Sequence, residues 1–222
     1  MRFAAIETAT EWCSVALWTD GEIAALERRA DNRHSELALP MLERLLKDAG
    51  TSARELDAVA FGAGPGSFTG LRIACGIAQG LAFAKSLPVI GISTLEAMAQ
   101  ECGAPRVVAC LDARMREVYY AALEKSGGRW REAIPAQCVA PQLAPLPQGE
   151  GWVGCGSGFA AYAGLFQQKN LVVKSEIHPT AVAVAQLAAP RLAAGEGVDA
   201  AQAAPVYVRD KVAFTQRELQ NR

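Results

Sequence analysis

Three groups of residues in this chain are of a type and spacing that could do chemistry. The first is a glycine-rich block, Phe61-Gly62-Ala63-Gly64-Pro65-Gly66-Ser67-Phe68-Thr69-Gly70-Leu71-Arg72-Ile73. Gly62, Gly64 and Gly66 allow backbone conformations that a Cβ would forbid, and Pro65 fixes one φ between them. A strand, a glycine-rich turn and a helix N-terminus can present a nest of N–H groups to an anion. The block lacks the lysine that closes a phosphate-cradling P-loop, and the dinucleotide fingerprint needs a βαβ context with a later acidic residue. The pattern alone favours a plain, tight connection between strand and helix. The second group is a pair of carboxylates, Glu7 and Asp112, each placed where an apolar run gives way to a turn. The third is the histidines, of which there are 2, His34 and His178. Two imidazoles at i and i+4 on a helix can grip one metal ion. The position four after His34 is Ala38, and His178 lies in an unrelated segment, so no metal site is expected. His34 reads instead as a helix N-terminal or interface residue. A serine or cysteine hydrolase would need a positioned base, and neither a nucleophile elbow nor a suitable histidine is present.

These groups need elements to hold them. The run at 57–61 reads as a buried strand. Ser67 or Thr69 can cap a helix starting near Gly70 and running to Lys85. That helix carries small residues on more than one face: Ala74, Ala78 and Ala82 form one row, and Gly76, Gly80 and Ala84 another. Glycine inside a helix costs about 1 kcal/mol relative to alanine, so Gly76 and Gly80 point to close packing against a neighbour in this chain or another. A second helix over 37–49 repeats Leu37, Met41, Leu42, Leu45 and Leu46 on one face, contains Pro40 and ends at Gly50. Ser52 with Glu55, and Ser93 with Glu96, are capping-box patterns.

Strands are expected at 3–6, 13–18 and 22–27, the last two joined through an Asp20-Gly21 hairpin signal. A similar arrangement returns at 106–111 and 118–123, with Asp112 closing the first strand as Glu7 does. This is a weak internal duplication, each half opening on a β-meander. Val89-Ile90-Gly91-Ile92 reads as a further strand, 154–158 as a second glycine-rich turn, 180–192 as an alanine-rich helix and 205–209 as extended chain. Pro141, Pro145 and Pro147 mark a loop. The expected division is 1–104, 105–204 and a C-terminal extension over 205–222, whose mild basic excess reads as solvated surface. Two such facing halves are similar to the actin-like ATPase superfamily, where the acidic turns flank a nucleotide cleft.

With 222 residues, 51% hydrophobic content and a net charge of −1, the chain can bury a sizeable core and lacks the charge of a free-standing nucleic-acid binder. The 6 cysteines form no Cys-x-x-Cys pair and sit mostly in apolar runs, as in a reduced cytosolic protein. Neither a signal peptide nor a membrane span is expected.

Ile6-Glu7-Thr8-Ala9-Thr10, His34-Ser35-Glu36, the block from Gly64 to Arg72, Leu111-Asp112-Ala113-Arg114 and Pro205-Val206-Tyr207-Val208-Arg209 fall in the order seen in the TsaB (YeaZ) family, and the resemblance runs over nearly the whole chain. It implies an α/β, actin-like (ASKHA) fold of two duplicated ribonuclease H-like halves. It also implies a non-catalytic, cytoplasmic scaffold in the making of threonylcarbamoyladenosine beside the tRNA anticodon. The scaffold would pair with the catalytic paralogue TsaD, be joined by the ATPase TsaE, use a donor made by TsaC, and form a homodimer when alone. tRNA would be met only through the complex.

The family's partner face maps here onto the two packed helices, through His34, Leu37, Met41, Leu45, Leu71, Ala74, Ile77, Ala78 and Leu81. The superfamily's nucleotide cleft would lie at Glu7, Gly64, Gly66 and Asp112. Glu7 replaces the usual aspartate, and Arg114 follows Asp112 closely, so the cleft is expected to be vestigial or to bind nucleotide feebly, with no other cofactor. The older "M22 glycoprotease" label fails with the missing metal ligands. Two readings stay open beside the scaffold: an actin-fold ATPase or phosphotransferase using Glu7 and Asp112, and a self-sufficient homodimer with its own binding role.

Overall fold

The structure, a computed structural model, describes residues 1–162, 164 and 171–209. The basic positions Lys211, Arg217 and Arg222 of the C-terminal extension lie outside the described residues.

Apolar residues alternate along the opening strand because successive side chains of a strand face opposite ways. In β1 (Arg2–Glu7), Phe3 and Ala5 join one core while Ala4 and Ile6 join another. β1 pairs antiparallel with β2 (Trp12–Thr19), which pairs antiparallel with β3 (Glu22–Arg29). Asp20 and Gly21, both at positive φ, make the turn between them. On its other side β1 pairs parallel with β4 (Ala58–Gly64), and β4 with β5 (Val89–Ser93). The sheet order is β3-β2-β1-β4-β5.

The second half repeats this plan. β6 (Arg106–Asp112), β7 (Val118–Ser126) and β8 (Arg129–Val139) form the meander, and β9 (Val153–Cys155) and β10 (Val172–Lys174) pair parallel beyond β6. The order β8-β7-β6-β9-β10 matches the first sheet strand for strand. The duplication is therefore real. β8 and β10 carry no clear alternating pattern and were not legible as strands. The turn expected over 154–158 is partly strand: Cys155 ends β9, Gly156 takes φ 105°, and α4 (Ser157–Ala161) follows.

Helices fill three layers. α1 (His34–Asp48) and α2 (Phe68–Phe83) cover the outer face of the first sheet, with Met41, Leu42, Leu45, Ala74 and Ala78 packed against Ile6, Val15 and Phe61. α3 (Thr94–Cys102) and α5 (Ala181–Ala193) lie between the two sheets in one shared core that holds Phe3, Ile92, Met98, Val107, Leu123 and Val184. α3 opens on half of the expected box: Ser93 Oγ accepts from Glu96 N at 3.4 Å, while the Glu96 carboxylate accepts from Arg191 at 2.8 Å, and Gly103 closes the helix at φ 72°. The Ser52–Glu55 box is formed in full, but it opens only a single 3-10 turn, Ala53–Glu55.

The division at 104/105 is crossed by this core. α5 belongs to the second half by sequence yet packs on β1, β2 and β4 of the first. The stretch after it also returns to the first half, where Val198 bridges Val89. Among the described residues no helix is long and apolar enough to cross a membrane.

Candidate functional site

The glycine-rich block is held by close backbone approach rather than opened for a ligand. Ser67 N donates to the Ala9 carbonyl oxygen at 2.7 Å, and Thr8 Oγ1 donates to the Gly70 carbonyl oxygen at 2.7 Å. A Cβ at Gly66 would fall 2.6 Å from Ala9 O, and one at Gly70 would strike Thr8 O. Of the two candidate caps, Ser67 is the one used, its Oγ accepting from Gly70 N at 3.3 Å. The N–H groups of Ser67 and Gly70, which would belong to an anion nest, are thus satisfied inside the chain. Gly64 takes φ 116° before a cis Gly64–Pro65 bond, and a Cβ there would meet the Val206 carbonyl oxygen at 2.6 Å.

A cleft of about 1000 Å³ opens between the halves. Its walls include Thr10, Gly66, Phe68, Asp112, Ser157 and Tyr207. The segment at 203–209 runs along its mouth and ties the halves together. Gln79 Nε2 donates to Ala203 O at 3.0 Å, Val206 N to Ala63 O at 2.7 Å and Arg72 Nε to Tyr207 Oη at 3.1 Å. At its far end Arg209 pairs with Glu117 at 2.8 Å and donates to Ala113 O at 2.9 Å. The sequence marks this segment only as extended, because its bonds reach residues far away in the chain.

The two carboxylates occupy equivalent strand ends and have different fates. Glu7 is 1% exposed and turns into the core, where its Oε1 accepts from Ala9 N at 2.6 Å and its Oε2 lies where a Gly62 Cβ would be. Burial raises its pKa from 4.5 to about 7, against a smaller lowering by the Ala9 and Thr8 N–H groups. Glu7 therefore does not line the cleft, contrary to the expectation that placed it beside a nucleotide. Asp112 does line it, but its oxygens are engaged: Oδ2 with Arg114 Nη1 at 3.1 Å, and Oδ1 with Arg114 N at 2.9 Å and Tyr162 Oη at 3.3 Å. The Arg114 pairing expected from the sequence is present. Of the two glycines assigned to the cleft, Gly66 lines it and Gly64 instead receives the 206 carbonyl.

The helix residues assigned to a partner face mostly face inward. Met41, Leu45, Leu71, Ala74 and Ala78 are buried in this chain's own core, and Leu37, Ile77 and Leu81 are half-buried against it. The apolar periodicity that singled them out marks the side that packs on the sheet. His34, the first residue of α1, is buried too and donates from Nε2 to the Thr10 carbonyl oxygen at 2.8 Å. The outward side is offset by one position. On α2 it presents Arg72, Gly76, Gly80 and Phe83, the last 79% exposed, and on α1 Leu39 and Pro40. Among the described residues nothing comes within 4 Å of a Cβ built at Gly76 or Gly80, so their lack of side chains serves no packing there. Among the described residues no group of three or more His, Cys, Asp or Glu side chains is placed to hold a metal ion.

Two copies of one strand order, facing across a cleft with helices shared between them, define the actin-like class, and residues 27–216 match the family model described as TsaD, tRNA N6-adenosine threonylcarbamoyltransferase. The tRNA threonylcarbamoyladenosine biosynthesis protein TsaB of Escherichia coli is 42% identical over 96% of this chain and 97% of its own length. The protein of that name from Haemophilus influenzae is 40% identical over 95% and 94%. The crystal structure of YeaZ from Pseudomonas aeruginosa superposes with a TM-score of 0.87 at 39% identity, covering 93% of this chain and 99% of that one. The chain belongs to the TsaB (YeaZ) family.

Proposed function

We propose that this chain serves the biosynthesis of threonylcarbamoyladenosine in tRNA as a non-catalytic, cytoplasmic scaffold. It binds a TsaD-type catalytic paralogue, with a TsaE-type ATPase joining the pair, and it forms a homodimer when alone. It meets tRNA through the complex and works without a cofactor of its own. The observation that carries this reading is the outward side of α2. Gly76 and Gly80 each lower helix stability and, among the described residues, leave open space beside them, and Phe83 stands exposed at the end of the same helix. Small residues let another backbone approach closely, and a large exposed aromatic is the kind of side chain that anchors an interface. Leu39 and Pro40 of α1 extend the surface. The inward residues act indirectly, by fixing how the two helices stand on the sheet.

The ATPase reading has less support. One of its two carboxylates is buried against Gly62, and the other is occupied by Arg114 and Tyr162.

The test is size-exclusion chromatography with light scattering on the chain alone and with its cognate TsaD. A homodimer that converts to a one-to-one heterodimer is expected. Gly76→Trp and Gly80→Trp should abolish both pairings while the circular dichroism of the monomer stays unchanged. A wild-type chain that ignores TsaD, or tryptophan variants that bind it normally, would reject the proposed face.

A further inference from the structure

Two cysteines that the proposed function does not use sit where the halves meet. Cys102 is the last residue of α3, and Cys155 is the last residue of β9. Two contacts bring them together. Lys174 is the cross-strand partner of Cys155, and its Nζ donates to the Cys102 carbonyl oxygen at 3.1 Å. Cys155 Sγ lies 3.9 Å from the carbonyl oxygen of Met98, one helical turn before Cys102. Cys102 ends the helical turn that begins at Met98, so both contacts set Cys155 against the C-terminus of α3. Both are buried, but Gly103, the next residue along from Cys102, is exposed, so the pair lies just beneath the surface.

We propose that Cys102 and Cys155 are an oxidation site, in which a peroxide-class oxidant converts the two thiols to an intramolecular disulfide joining α3 to β9. The Cys102 sulfur attacks one peroxide oxygen and the O–O bond breaks. The departing hydroxide takes a proton and leaves as water, and Cys102 becomes a sulfenic acid. The Cys155 sulfur then attacks the Cys102 sulfur and the S–O bond breaks. The departing hydroxide takes the Cys155 proton and leaves as a second water. Two thiols are oxidised and one peroxide is reduced.

The chemistry singles out Cys102 as the attacking sulfur. A thiolate is the nucleophile, and it is favoured where donors and a cation surround it. The neighbouring Cys155 side chain, the Ala104 N–H and the Lys174 ammonium hold Cys102 down to about 6, over the opposing effects of burial and of Glu176. The other cysteines are held up as thiols. Burial pushes Cys13 to about 11 and Cys110 to about 12, and it raises Cys75 and Cys138 as well. Cys155, whose Sγ donates to the Met98 carbonyl oxygen, is raised well above the usual thiol range by the neighbouring Cys102 and by burial, and it is placed to resolve the sulfenic acid. The disulfide would join an element of the first sequence half to one of the second, at a point where the side chains of Lys174 and Cys155 reach the backbone of α3.

The experiment treats the purified full chain with an equimolar amount of hydrogen peroxide, blocks the remaining thiols with iodoacetamide and maps peptides without reduction. The expected result is one cross-linked pair containing Cys102 and Cys155, a loss of two free thiols and a rise in Tm that dithiothreitol reverses. Cys155→Ser should give no cross-link and leave a sulfenic acid at Cys102 that dimedone captures. Cys138→Ser, which alters the half-buried thiol beside Glu117, should leave the cross-link unchanged. Full alkylation of Cys102 and Cys155 after the peroxide has been consumed would overturn the proposal. So would a cross-link that involves any other pair. The wild-type peptide map decides the matter even if a variant folds poorly.

Discussion

In the first half, the strand parallel to the central one leads into α2, of 16 residues, which with the 15-residue α1 covers the outer face of the sheet. At the corresponding place in the second half, β9 leads into α4, of only 5 residues, and a loop carrying Ala144 and Trp152 completes the cover over Tyr120 and Val108. The sheets between them run in the same strand order. The same contrast holds at the strand ends, where Glu7 closes β1 inside the core and Asp112 closes β6 at the cleft with Arg114 against it. One frame has thus been used twice. The first copy turns a long helical surface outward, and the second gives a short cover and a rim to the cleft. The two carboxylates at equivalent strand ends therefore face different surroundings, Glu7 the core and Asp112 the cleft.

The most severe way to disturb the comparison is to push the glycine block away from the β1–β2 turn. Gly70→Ala places a methyl group against the carbonyl oxygen of Thr8, which is backbone and cannot rotate away. Overpacking of this kind typically costs 1–3 kcal/mol, and a loss of about 3 kcal/mol is expected in urea denaturation. The same substitution at Gly127, where a Cβ meets nothing within 4 Å, serves as the second-half control; its cost comes only from a φ of 58°.

Next comes Glu7→Gln. The folded pKa of Glu7 is raised from 4.5 to about 7, so the fold favours the protonated acid. Its stabilising contribution is complete below 4.5 and is lost as pH rises through about 7. At pH 8 the penalty is at most about 3 kcal/mol, and the second amide proton of glutamine takes back about 1 kcal/mol of it. Glu7→Gln should therefore stabilise the chain by about 2 kcal/mol at pH 8, with the gain shrinking as pH falls toward 4.5. His178 reinforces the slope. Its hydrogen bonds to Glu27 and Glu176 and the nearby Glu101 carboxylate raise its pKa despite burial, so its contribution also fades with rising pH. Thermal melts from pH 5 to 8 check both, and a wild-type Tm that rises over this range would refute the assignment of Glu7 as a buried acid.

Most of the frame was legible because local pattern and tertiary use agreed. β1, β2, β5, β6 and β7 are apolar runs buried within sheets, Asp20-Gly21 supplies the positive φ values of its turn, and Ser93 caps α3. β8 and β10 were missed because no apolar alternation marks them, whereas the exposed edge strand β3 was read through the Asp20-Gly21 hairpin signal beside it. The site was less legible. Periodicity identifies the side of a helix that meets its own sheet, so it pointed to Met41, Leu45, Ala74 and Ala78 rather than to the outward Gly76, Gly80 and Phe83. Gly76 and Gly80 did stand out in the sequence, and among the described residues no neighbour fills the space beside them. Composition also could not tell Glu7 from Asp112, because the difference lies in Gly62, which pairs with neither in sequence and leaves room for one of them in space.

A smaller effect separates the two roles of α2. Gly76→Ala fills open space on an exposed helical face, so the isolated chain should gain about 1 kcal/mol, read from urea denaturation of the monomer. The methyl group also begins to close the gap offered to a partner helix, so the same variant should bind TsaD less tightly than wild type. Greater stability with weaker pairing would tie the glycine to the interface. Greater stability with unchanged pairing would move the interface elsewhere on α2.

The smallest effect is the mirror image of Glu7→Gln. Asp112→Asn keeps the shape of the side chain and an oxygen for the Arg114 N–H, but removes the charge facing the Arg114 guanidinium, which is 86% exposed. Ion pairs of that exposure contribute about 0–1 kcal/mol, so a loss of about 0.5 kcal/mol is expected at pH 8. One neutralised carboxylate should thus raise stability and its counterpart lower it slightly, although the two end equivalent strands of the two repeats. Equal shifts from the two variants in urea denaturation at pH 8 would mean that the halves treat their acidic turns alike, and the asymmetry between buried Glu7 and cleft-lining Asp112 would carry no energetic weight.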